Sequence, residues 1–155
     1  MARENQGPGG IRVMSTYERD FYAWTQEQAN LLREQQFTEL DIDRLIEEIE
    51  CMGRSERRQL TSRLEVLLVH LLKWQFQPER QSRSRELSIL EQRRRIAKLL
   101  RANPSLHPEL PELLADAYDD ARFSAMRETG LPQSAFPAAC PYLLERVLEA
   151  EWLPE

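Results

Sequence analysis

The sequence predicts an all-α protein, a single-domain helical bundle of about five or six helices around a long central helix at about 55–77. Three observations point there. The run Leu64-Glu65-Val66-Leu67-Leu68-Val69-His70-Leu71-Leu72-Lys73-Trp74 is apolar on nearly its whole circumference when wound as a helix, so other helices must cover it. Gly 5 and Pro 9 are few in 155 residues and the prolines gather at segment ends, which suits helices joined by short breaks. No Asn-Gly or Asp-Gly turn lies between alternating apolar runs, so the hairpin signal of a sheet protein is missing.

A chain of this length, 41% hydrophobic, can bury one core, so residues 15–155 are expected to form one domain. The net charge of -5 excludes a surface built throughout for polyanions and leaves room for a local basic patch. Cys51 and Cys140 lie far apart without Cys-x-x-Cys spacing, which points to reduced thiols in a cytoplasm and away from structural zinc. Lys73, His70 and Glu65 interrupt the one long apolar run well short of the ~20 residues a bilayer span needs, so no membrane partner is expected.

Residues 1–14 carry three of the five glycines, lack periodicity and read as a mobile N-terminal tail. A first helix starts after the cap candidate Thr16 and runs to about Gln36, with Tyr17, Phe21, Trp24, Gln28, Leu31 and Leu32 at helical spacing. Its aromatic stripe could stack bases, but aromatics at such intervals more often serve a core. A second helix starts near Thr38 or Asp41 and directs Leu40, Leu45, Ile49 and Met52 inward with Ile42 and Ile46 alongside, while Asp43, Glu47, Glu50 and Arg54 form a charged stripe. Gly53 either breaks this helix or is carried inside it, since a mid-helix glycine costs only ~1 kcal/mol.

The central helix follows, with Leu60, Leu64, Leu67, Leu71 and Phe76 in one stripe, Val66, Val69 and Trp74 in a second, and Pro78 as its stop. A fourth helix, about Arg85–Ala102, turns Leu87, Leu90, Ile96, Leu99 and Leu100 inward. Residues 79–101 hold seven arginines and one lysine against three glutamates, a charge of +5. A fifth, about His107–Glu128, buries Leu110, Leu113, Leu114, Ala117, Ala121 and Met126, and Gly130 caps its end; residues 108–128 hold six acids against two arginines, a charge of -4. After a proline-interrupted loop with Phe136 tucked in, a short helix at about Pro141–Glu149 presents Tyr142, Leu143 and Val147, and Trp152 and Leu153 pin the terminus.

With Tyr17-Glu18-Arg19-Asp20-Phe21-Tyr22-Ala23-Trp24, then Glu47-Glu48-Ile49-Glu50 before Met52-Gly53, then His70-Leu71-Leu72-Lys73-Trp74-Gln75, the chain resembles the bacterial family called domain of unknown function 29. Gly130-Leu131-Pro132, Phe136-Pro137, Cys140-Pro141-Tyr142 and Leu153-Pro154 extend the resemblance over roughly Tyr17 to Glu155. It implies an all-helical single domain, with no activity and no site residues to carry over.

Three constellations bear chemistry. Arg63 and His70 lie seven residues apart, within ~20° of one face and ~10.5 Å along a helix. Their Arg-x6-His spacing resembles the helical ribonucleases known as higher eukaryote and prokaryote nucleotide-binding domains, in which His and Arg serve as acid/base and phosphate stabiliser. Leu64, where that motif is usually polar, departs from it, and the plain alternative is a core or rim histidine with Arg63 paired to an acid of the second helix.

Asp43, Glu47 and Glu50 could hold a metal with His70 if the second and third helices pair antiparallel, although the Glu-x-x-His motif of di-metal bundles is absent. Arg83, Arg85, Arg93, Arg94, Arg95 and Lys98 form a basic face that fits an anion, a nucleic acid or an acidic protein, unless the acidic fifth helix neutralises it. No cofactor or nucleophile motif occurs. The expectation is therefore a binding or scaffold module working through charged helix faces, with a protein partner, a second copy or a nucleic acid; the alternative is a metal-independent ribonuclease.

Overall fold

The computed structural model describes residues 14–155, which form six α-helices joined by short 3-10 turns, with no strand among the described residues. Apart from Met14, the predicted tail lies outside this range. The helices are α1 (Thr16–Arg19), α2 (Phe21–Arg33), α3 (Ile42–Phe76), α4 (Arg83–Ala102), α5 (Leu110–Thr129) and α6 (Leu144–Leu148). The chain packs as two units, one ending at Ile49 and one running from Glu50 to Glu155.

In the first unit, the single predicted helix is two. Asp20 leaves helical geometry, with φ -151°, and its carboxylate accepts the Ala23 amide at 2.9 Å, so it ends α1 and caps α2. Trp24 and Gln28 are the buried residues here: the Trp24 indole donates to Asp41 at 3.3 Å, and Gln28 Oε1 accepts the Asp41 amide at 2.8 Å. Tyr17 meets Trp24 edge-on and Phe21 stacks on it, with ring centroids at 4.9 and 5.7 Å, so the aromatic stripe packs on itself. Asp41 stands before α3 and accepts the Arg44 amide at 3.4 Å.

The predicted second and central helices are one continuous helix. Gly53 sits inside α3, and Arg54 reaches Glu50 at 3.6 Å across it. The glycine's small propensity cost is outweighed by the helix on both sides. The expectation that Ile42, Ile46, Ile49 and Met52 point into a core fails: they are 50%, 50%, 66% and 69% exposed.

The second unit is built around the apolar run. Leu60, Leu64, Leu67, Leu68, Val69, Leu71 and Leu72 of α3 are buried, and Leu113, Ala117, Tyr118, Ala121 and Ala125 of α5 join the same core with Ile89 and Ile96 of α4. Phe136 is buried as predicted and meets Phe76 edge-on at 5.3 Å, while Trp152 and Leu153 pack against the core at the terminus. Gly130 ends α5 with φ 74°, a left-handed conformation that glycine adopts without a Cβ clash, and its amide bonds Met126 O at 3.0 Å. Leu143 departs from expectation and is exposed.

Candidate anion-binding helix face

Helix α4 begins at Ser82, whose Oγ accepts the Arg85 amide at 3.3 Å. Its phase follows from Ile89, Gln92, Arg93, Ile96 and Leu100, the residues it buries, at intervals of three, one, three and four. Leu87 and Leu90, predicted inward, therefore lie on the opposite side and are exposed. At about 100° per residue, Leu87, Leu90, Arg94, Lys98 and Arg101 form one solvent-facing stripe, apolar at its start and basic at its end. An open surface depression of about 450 Å³ follows the basic part, lined by Glu91, Arg94, Arg95, Ala97, Lys98 and Arg101.

Arg93 explains how that stripe is held outward. The side chain is 5% exposed; its guanidinium donates through Nε to Val147 O at 2.8 Å, through Nη1 to Ala150 O at 3.1 Å and through Nη2 to Arg146 O at 3.4 Å. These carbonyls lie at the end of α6 and just beyond it, where the dipole favours a cation; Arg146 O also accepts the Glu149 amide at 3.2 Å. Burial lowers the Arg93 pKa and nearby Glu149 opposes that effect.

The other predicted basic residues divide by partner. Arg83 pairs with Glu86 at 2.9 Å, and Arg95 pairs with Glu91. Arg85 donates to Lys73 O and Gln77 Oε1, both at 3.2 Å. Arg94, Lys98 and Arg101, all exposed, have no carboxylate within ion-pair distance among the described residues. Arg101 belongs to this row by its i+7 spacing from Arg94, a signal already present in the sequence.

The acids on and just before α5 do not neutralise that row. Glu109 and Glu112 pair with Arg57 of α3 at 2.6 and 3.4 Å, and Glu128 pairs with Lys73 of α3 at 2.8 Å. Ser124 donates to Glu65 of α3 at 3.2 Å.

Arg63 and His70 are both half-buried on α3, and Arg63 has no acid partner among the described residues, unlike the pairing expected for it. Desolvation lowers the His70 pKa, Lys73 and Arg85 add to that, and Glu128 opposes it. The ring is therefore neutral near pH 7. Antiparallel pairing of the Asp43, Glu47 and Glu50 stripe with His70 is ruled out, because both lie on one helix; Glu50 and His70 alone are ~30 Å apart along it. Glu47 pairs with Arg44 at 2.9 Å, and no cluster of three metal-ligating side chains occurs among the described residues. No helix among them is long and apolar enough to cross a membrane. Cys51 and Cys140 are free thiols, and burial raises the pKa of Cys140.

A family model described as a domain of unknown function, DUF29, matches residues 16–153. No curated protein and no solved structure matches the chain.

Proposed function

We propose that this chain, which belongs to the DUF29 family, is a cytoplasmic binding module whose exposed α4 stripe docks an acidic, partly apolar protein surface. The observation that carries the reading is the row of Arg94, Lys98 and Arg101 left without carboxylates while Glu109, Glu112 and Glu128 are engaged on α3. Leu87 and Leu90 support a protein partner over a nucleic acid. A phosphate backbone rewards charge alone, whereas two exposed leucines leading into three cations match the mixed apolar and polar make-up of a protein interface.

The test is fluorescence anisotropy with a labelled helical peptide carrying leucine and glutamate at helical spacing. The peptide binds the native chain, binding weakens at least tenfold in Arg94→Glu/Lys98→Glu, and raised salt weakens it further. Equal affinity for the variant refutes the reading. Preference for a single-stranded RNA over the peptide assigns the stripe to nucleic acid and refutes it equally.

A further inference from the structure

The first unit leaves an apolar row exposed. Ile42, Ile46 and Ile49 follow at i, i+4 and i+7 on α3 and are at least half exposed, and Trp24 is the one buried apolar residue of this unit among those described. Asp43 and Glu47 form the adjacent row one turn apart. Residues 14–49 hold nine carboxylates against three arginines, a charge of -6. An apolar helix face in water gains by being covered, and this one sits in a strongly negative field.

We infer that the acidic partner of α4 is this face on a second copy of the chain, an inference that rests on the binding role assigned to α4 above. The two faces are opposite in charge, and each sets exposed apolar side chains next to charged ones. Laid antiparallel, Leu87 and Leu90 of one copy cover Ile46 and Ile49 of the other. On α3 the acids Asp43 and Glu47 flank the isoleucines along their length, while on α4 the cations follow the leucines, with Arg94 ~6 Å past Leu90. Arg94 then faces Asp43, Lys98 reaches past the start of α3 into the negative field of the first unit, and antiparallel helix dipoles add attraction. Pairing two first units face to face instead brings -5 against -5 over residues 1–49, which disfavours the symmetric alternative. The contact joins unlike surfaces, so it closes as a ring or extends as a chain of copies.

Sedimentation velocity on the full chain at low and high salt tests this. The native chain sediments as a dimer or larger at low salt and moves toward monomer as salt rises. Asp43→Lys and Lys98→Glu each shift it to monomer, Ile46→Glu does the same, and mixing Asp43→Lys with Lys98→Glu restores association. Far-UV circular dichroism confirms that each exposed-site variant keeps its helix content. A native chain that stays monomeric while still binding the acidic peptide overturns the self-association and leaves the α4 role standing; one that is monomeric and binds no peptide overturns both. Association that Ile46→Glu abolishes but Lys98→Glu leaves unchanged also overturns the inference, since it places isoleucine against isoleucine.

Discussion

Replacing Arg93 by methionine removes three donors while keeping most of the side-chain volume. Hydrogen bonds from a charged group to buried acceptors contribute about 1.5–3 kcal/mol each, and the three carbonyls of Arg146, Val147 and Ala150 lose theirs together. Two terms reduce the sum. The buried cation itself costs desolvation that methionine does not, and Arg146 and Ala150 are exposed, so water can reach their carbonyls. A net loss of about 3 kcal/mol follows from hydrogen-bond and desolvation magnitudes together. For a chain of this size it lowers the melting temperature by roughly 6–12 °C. Arg93→Lys keeps the charge without the planar fork and should lose less. The assay is urea unfolding followed by circular dichroism, with Arg94→Met as the exposed control, expected within about 0.5 kcal/mol of the native chain. If Arg93→Met matches Arg94→Met, the carbonyl clamp contributes nothing and its account is refuted.

Gly53→Ala should stabilise the chain by about 0.5–1 kcal/mol, because the position is helical and an added Cβ meets nothing within 4 Å; destabilisation on thermal melting would contradict this. Gly130→Ala should act the other way by about 1 kcal/mol, since φ 74° is strained for any residue with a Cβ, and the same melt reads it. His70 has its pKa lowered in the fold, so the unfolded chain takes up a proton first as pH falls below the ordinary histidine value near 6.5; stability is full above that value and declines below it. Unfolding free energies across that range should therefore fall less steeply in His70→Gln, and parallel profiles for the two proteins would count against burial of the ring.

The apolar core of the second unit was legible because an uninterrupted helical period from Leu60 to Leu72 allows one packing answer only. Helix α4 was harder. Leu87 and Leu90 offered one apolar phase and Ile89 with Ile96 another, and a charged residue at Arg93 on the buried side concealed which was right. Only the carbonyls of a segment more than fifty positions later make Arg93 an inward residue, and no local pattern encodes them. Gly53 was undecidable for a different reason, as its propensity cost is smaller than the packing of the helix around it. For Ile42, Ile46 and Ile49, periodicity reported a face that wants cover without saying what supplies it. Of the candidate site, the charge of residues 79–101 was plain from the sequence. Which cations stay free depended on where Glu109, Glu112 and Glu128 point.

That redistribution of ion pairs has a kinetic side. For the docking proposed above, the net charge of -5 repels an acidic partner at long range, so the three bare cations would act only within about a Debye length, ~8 Å at physiological salt, and added salt would weaken that local pull. A contact held by a single row of side chains would also part quickly. Were the partner a second copy, as inferred above, occupancy of this face would track the concentration of the chain.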